Sequence, residues 1–435
     1  MAKIHLDHIS RVEGHGALTV KLDGNTVQEV KLNLFEGMRG FEKVVLGRSY
    51  TEIPAIICRI CAICSAGHAI TAHMAVEKAL GISVSAQTEL LRELAFLGMF
   101  IESHSLHVFA LALPDYLGYD GIADMAQDHK DVVTTALQIK KTGNCVQELI
   151  GGRAIHHINT TFGGFGKLPS QAEINELREQ LANRLSAMEG IVELLAGLST
   201  PNYAGEEILF MAVRPAGEGY GFFGDTIVFS DGREFPAEQY QIAFQETENQ
   251  YSNAKQSTID GLPFMVGALA RINLFGDRLT GKAAETLAKL QIPIPSKNAL
   301  HNNLAQVVEI IYALERAIEI CDQILAEGLQ AEPLPDITPQ TGQGIIATEL
   351  PRGTLYHSFS FDENGLVTAA DVITPTALNQ ASVEQEIAFI GASHAGQTED
   401  QLKFLFERLV RAYDPCISCS VHVVQIKEGH KHTID

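Results

Sequence analysis

Two cysteine pairs at opposite ends of the chain constrain it more than any other feature. RICAICSAGH (Arg59–His68) carries Cys61 and Cys64, and DPCISCSVH (Asp414–His422) carries Cys416 and Cys419. A C-x-x-C pair lets two thiolates face one ion from a single turn. The spacing predicts one four-sulfur metal site, closed by joining the two ends of the fold. On spacing alone a closed structural zinc is the ordinary outcome. Two details go beyond what zinc requires. A histidine follows each pair at a short interval (His68, His422), and Asp414-Pro415 directly precedes the second.

Such a closure bounds the architecture. Length alone allows about three domains, but a shared metal forces the first and last thirds of the 435 residues to pack together. We therefore expect a single large interleaved α+β domain. Its core is a long helical bundle, with peripheral N-terminal and C-terminal β-hairpins and both chain ends meeting at the metal site. Apolar spacing predicts helices near 86–111, 130–150 and 171–197, and a final helix near 398–412. The longest is Asn298–Glu327, where Leu300, Leu304, Val307, Ile311, Leu314, Ile318, Cys321 and Leu325 line one stripe. Hairpins are expected around Asp23-Gly24-Asn25 and Glu363-Asn364-Gly365, and residues 203–235 read as β.

Composition narrows the function. With 46% hydrophobic residues a large core is available, and a net charge of −21 argues against nucleic acid or an anionic membrane as partner. The most apolar stretch, Leu90–Pro114, is interrupted by Arg92, Glu93 and Glu102, so no membrane span is expected. The N-terminus shows no apolar signal segment. Seven cysteines, four of them in close pairs, read as metal or redox chemistry in a reducing compartment, with the cytoplasm as the default.

Six stretches together resemble the large, catalytic subunit of nickel–iron hydrogenases. RVEGHG (Arg11–Gly16) is similar to that family's R-x-E-G-H signature, and MRGFE (Met38–Glu42) to its R-G-x-E element. RICAICSAGH resembles R-x-C-G-x-C-x-x-x-H, with Ala62 where glycine is usual. LPRG (Leu350–Gly353), VITPT (Val372–Thr376) with Asn379, and DPCISCSVH complete the set in the family's order. The resemblance runs from residue 11 to residue 422. Ser103 stands where many relatives have Asp, and His157 where proline is common.

The resemblance implies reversible heterolysis of H2 at a nickel–iron centre whose iron carries CO and cyanide. Cys61 and Cys416 would be terminal nickel ligands, and Cys64 and Cys419 would bridge to iron; soft sulfur suits both metals. Two divalent metals, four thiolates and two cyanides leave about two buried negative charges, which Arg352 would offset. Thr376 in the Pro375-Thr376 segment would donate to a cyanide, and His68 to a bridging sulfur. Asp414 would orient Arg352. The Cys416 sulfur would take the first proton and Glu13 would carry it onward. Glu42, the Val372 carbonyl and His422 match a family site for magnesium or a similar ion. Cys145 and Cys321 read as core, and Cys58 has no assignment.

Partners follow from the same resemblance. Too few cysteines remain for a further cluster, so electrons would leave through an iron–sulfur small subunit and additional electron-transfer subunits. A maturation chaperone and an endopeptidase are implied, the latter removing residues 423–435 after His422. The domain proper would then be 1–422. The motif style is closest to the cytoplasmic multimeric branch. A non-catalytic scaffold like the related subunit of respiratory complex I is disfavoured because those relatives lack the four cysteines. A zinc protein would give no role to Glu13 or Arg352.

Overall fold

The computed structural model describes residues 2–36, 40–203 and 208–420. Met38, Arg39 and His422 lie outside them, as do residues 423–435, so the expectations placed on those positions stay with the sequence.

Three short strands open the chain: β1 (Ala2–Leu6), β2 (Gly16–Asp23) and β3 (Thr26–Leu34). They form one antiparallel sheet, and Asp23 pairs Thr26 across the expected Gly24-Asn25 turn. Next come α1 (Ser65–Leu80), α2 (Ala86–Ser105), α3 (Lys130–Gly151) and α4 (Gln171–Ala196). At the head of α4, Ser170 Oγ accepts from the Glu173 N–H while the Glu173 carboxylate accepts from the Ser170 N–H. That reciprocal pair satisfies donors which a helix start otherwise leaves bare. A four-stranded sheet follows, ordered β7-β4-β5-β6, from β4 (Leu209–Val213), β5 (Thr226–Phe229), β6 (Glu234–Pro236) and β7 (Phe264–Met265). Then come α5 (Ala268–Phe275) and α6 (His301–Glu327).

Helices α2, α3, α4 and α6 pack on one another as the central bundle. The predicted stripe of α6 faces inward, with Val307, Ile311, Leu314 and Cys321 buried. The helix starts at His301 instead of Asn298 because the Asn298 side chain accepts from the Leu300 N–H, holding a turn there. Likewise α2 ends at Ser105. The chain then widens into a π-helical turn over Leu106–Ala112, a distortion frequent at functional sites. The one described stretch long and apolar enough to cross a membrane, Ala86–Leu117, is largely buried inside the protein.

A second three-stranded sheet is built from β8 (Gly342–Leu350), β9 (Gly353–Phe361) and β10 (Val367–Ile373). The pairing β8–β9 runs from Gly342↔Phe361 to Leu350↔Gly353, so Pro351-Arg352 form the tip of a tight hairpin. Strand β9 is buried along nearly its whole length, and its pairing with β10 forms the hairpin expected around Glu363-Asn364-Gly365. Helix α1 lies flat on β8 and β9. A Cβ on Gly344 would sit 1.8 Å from the Ala75 carbonyl oxygen, so only glycine lets helix and strand backbones touch. Finally α7 (Pro375–Ser393), α8 (Glu399–Ala412) and the single turn α9 (Ile417–Ser420) return the chain to its start. There Glu13 and Cys416 form a parallel bridge, and Arg411 donates to the Ser10 carbonyl (2.9 Å).

Candidate metal centre

The four sulfurs of Cys61, Cys64, Cys416 and Cys419 lie within 4.8 Å of one another, and all four residues are buried. Cys61 Sγ stands 3.4 Å from Cys416 Sγ, and the Cys416 and Cys419 sulfurs touch. One pair sits at the head of α1, where Cys64 caps the helix and its N–H donates to Cys61 Sγ (3.1 Å). The other sits on α9, where the Cys419 N–H donates to the Cys416 carbonyl (3.1 Å). Helix α1, resting on β8, and α9, held by the N-terminal strand segment, bring the pairs face to face. The Cys64 thiol is pulled down by its hydrogen bond with Cys61, against burial and helped by Arg352. The same hydrogen bond, with burial, pushes Cys61 up. Four soft donors at this spacing fit a metal held at about 2.3 Å from sulfur.

A buried cation stands against the sulfurs. Arg352 Nη1 donates to Cys64 Sγ (3.1 Å), and its Nε donates to Asp414 through the carbonyl (2.9 Å) and Oδ1 (3.1 Å). Burial opposes the guanidinium's charge, but Asp414, Cys64, Cys61 and Glu13 outweigh it, and the Arg352 pKa is raised. Asp414 Oδ2 accepts from Gln306 of α6 (3.0 Å), and Gln306 meets His107 in the widened turn after α2. His107 Nε2 lies 2.7 Å from the Arg411 carbonyl.

Glu13 grips the opposite side. Its carboxylate accepts from the Ser418 N–H (3.1 Å) and the Ser418 hydroxyl, and its main-chain carbonyl accepts from the Ile417 N–H (3.0 Å). Gly14 follows in the left-handed region (φ +87°), where a Cβ would lie 2.7 Å from Ile417 Cβ. The Glu-Gly order of RVEGHG thus lets the first segment close on α9. Arg11 donates to the Leu111 carbonyl (2.7 Å) and pairs with Asp115.

This arrangement agrees with what comparison finds. The profile of the nickel-dependent hydrogenase family matches residues 39–150 and 228–422, and a HoxL-like profile matches residues 3–36. The chain belongs to the nickel-dependent hydrogenases. It is similar to sulfhydrogenase 1 subunit alpha of Pyrococcus furiosus, 42% identical over 423 residues, covering 97% of this chain and 98% of the relative. Sulfhydrogenase 2 subunit alpha of the same organism is 39% identical over 424 residues, covering 97% of this chain and all of the relative. Among solved structures, an NAD+-reducing [NiFe]-hydrogenase in the H2-reduced state superposes with a TM-score of 0.87 at 26% identity, over 97% of this chain and 100% of that one. The chain is therefore a [NiFe] hydrogenase large subunit, and the four cysteines are its metal site.

Among the other expected residues, Thr376 contacts the second cysteine pair. Thr376 Oγ1 accepts from the Cys416 N–H (2.9 Å), leaving the hydroxyl proton to donate elsewhere, and Pro375 opens α7 beside it. His68 Nδ1 lies 3.2 Å from His357 Nε2 of β9, with the rings stacked 5.3 Å apart. Glu42 Oε1 accepts from the Val372 N–H (3.0 Å), and burial pushes this carboxyl up to about 7. Ser103 and His157 are buried, Cys321 packs in the core, and Cys58 is buried close to the first pair. Sequence reasoning missed His357, Gln306, His107 and Ser418. Gln306 lies off the apolar stripe of α6, so its residue type left no signal.

Proposed function

We propose that this hydrogenase cleaves H2 heterolytically and reversibly at a nickel–iron centre whose iron carries CO and cyanide. The observation that carries the reading is the buried convergence of four sulfurs with a guanidinium on one of them and a carboxylate braced against their turn. The metal centre, when bound, supplies the polarisation of H2 and the uptake of its two electrons. Cys61 and Cys416 would hold nickel alone, and Cys64 and Cys419 would also hold iron. Arg352 offsets the buried anionic charge beside Cys64 and is oriented by Asp414. The Cys416 sulfur receives a proton and Glu13, bridged to Cys416 along the backbone, carries it outward. Thr376 donates into the site near Pro375, and His68 toward a bridging sulfur. Glu42, the Val372 carbonyl and His422 would hold magnesium or a similar hard cation, which would relieve the burial that raises Glu42.

Electrons pass to an iron–sulfur small subunit and further electron-transfer subunits. The sulfhydrogenase relatives are named as subunits, and Cys58, Cys145 and Cys321 sit on separate elements, too few for a cluster. The cytoplasm is the compartment we assign, and residues 423–435 are removed on maturation. Elemental analysis of purified protein tests the centre: nickel and iron near equal amounts, with infrared bands from CO and cyanide, against zinc alone. For the relay, Glu13→Gln should lower H2 oxidation by about 10²–10⁴-fold with metal content retained. Wild-type turnover in that variant would remove Glu13 from the path.

A further inference from the structure

Behind the Arg352 hairpin lies a buried charge cluster that the four-sulfur chemistry does not use. Arg271 of α5 is 1% exposed, and every arm of its guanidinium is engaged. Nε and Nη2 donate to the two oxygens of Glu309 (2.6 and 2.7 Å), and Nη1 donates to Glu349 Oε2 (2.7 Å). The same group reaches two backbone carbonyls, Leu350 at 2.9 Å and Pro351 at 3.1 Å. Phe100 and Phe222, stacked on each other, lie 5.4 and 5.6 Å from it.

Those two carbonyls belong to the turn that presents Arg352. Glu349, which anchors Arg271 from β8, is itself fixed by the Val213 N–H (2.8 Å) and the Thr354 hydroxyl (2.6 Å). Glu309 is fixed by the Tyr220 hydroxyl (2.5 Å) and His104 Nε2 (2.7 Å). The helix that carries Arg271 is also tied to the other half of the site: Asn302 accepts from the Leu269 N–H (2.9 Å) and donates to the Ala412 carbonyl (2.8 Å), two residues before Asp414. A buried cluster of this kind gains little stability over packed apolar side chains. Its planar fork does supply geometry, which a lysine's single ammonium cannot reproduce toward five acceptor oxygens at once.

We propose that Arg271 is a positioning residue for the metal centre: by clamping the Leu350 and Pro351 carbonyls it fixes the hairpin tip from which Arg352 reaches Cys64 and Asp414. The Arg352–Cys64 hydrogen bond is 3.1 Å long, so a tip displaced by about 1 Å breaks it.

The inference rests on the hydrogenase reading, and its test uses the metal-loaded enzyme as wild type, Arg271→Lys and Glu349→Gln. Three quantities are read: nickel per chain, H2 oxidation per nickel, and the infrared frequencies of the iron's diatomic ligands. The clamp predicts nickel content near wild type, turnover per nickel reduced about a hundredfold, and shifted infrared bands, because Arg352 moves against the sulfur. Unchanged bands and turnover in whichever variant loads nickel would overturn it. Loss of nickel from both variants would also overturn it, making Arg271 a folding residue only. A wild type lacking nickel and the bands would instead fail the hydrogenase reading itself, and the clamp would fall with it.

Discussion

Replacing Arg352 by methionine should destabilise the metal-free chain far more than its surface area suggests. Arg352 and Asp414 are 3% and 2% exposed, so deleting the cation strands a carboxylate away from water. Asp414 would keep Gln306 at 3.0 Å and His107 at 3.9 Å. Breaking one side of a buried ion pair typically costs about 3–5 kcal/mol. Asp414→Asn should cost less, about 1.5–3 kcal/mol, because Arg352 retains the residue-414 carbonyl at 2.9 Å and Cys64 Sγ at 3.1 Å. In the double variant neither charge remains to be stranded, so the two costs should fall short of adding by about 2–3 kcal/mol. Chemical denaturation of the four metal-free proteins at one pH measures this directly. Additivity within about 0.5 kcal/mol would refute the reasoning: the two groups would not then function as a pair, and the counter-charge argument for Arg352 would lose its footing.

Other perturbations report on neighbouring elements. Gly344→Ala should cost about 3 kcal/mol or more, because the new Cβ meets the Ala75 carbonyl oxygen at 1.8 Å; thermal denaturation at wild-type stability would contradict the backbone contact between α1 and β8. Thr376→Val should leave the Cys416 N–H buried without its acceptor, losing about 1–3 kcal/mol, read by denaturation alongside nickel content. Burial pushes Glu386 up to about 8, opposed only by the Tyr413 hydroxyl bond. The folded state then holds a proton the unfolded state has released, so stability is greatest at low pH and falls as pH rises from about 4.5 to about 8. The slope is at most about 1.4 kcal/mol per pH unit. Glu386→Gln should remove it, and equal pH dependence in both proteins would show that burial does not raise the Glu386 pKa.

The parts of this fold that could be read in advance share a cause: their signal is local. The stripe on α6, the Gly24-Asn25 turn and the two cysteine pairs each express themselves within a few residues. What could not be read depends on who the neighbour is. Strand β8 begins with Gly342 and Gly344, which weigh against a strand in isolation; they are there because α1 lies against them. Gln306 and Glu309 on α6, and Arg271 on α5, look like surface residues by type, and only the packing of α5 and α6 behind the hairpin shows them inside. His107 sits where an ordinary helix pattern continues, and the π-helical turn re-aims it.

One device recurs where distant segments of this chain meet. Arg92 pairs with Glu77 and also donates to the Thr161 carbonyl; Arg271 pairs with Glu309 and Glu349 and also donates to the Leu350 and Pro351 carbonyls. Arg352 pairs with the Asp414 carboxylate and its carbonyl, and Arg411 pairs with Asp115 and donates to the Ser10 carbonyl. In each case a buried guanidinium neutralises an acid and, with a spare arm, fixes backbone. Stability alone does not explain the choice, since an apolar core of equal volume holds together as well. What a planar fork adds is direction, and a centre assembled from the two ends of a long chain needs its ligands held in direction before any metal arrives. On this argument the buried arginines, although the chain as a whole is acidic, are the frame on which the four sulfurs are set.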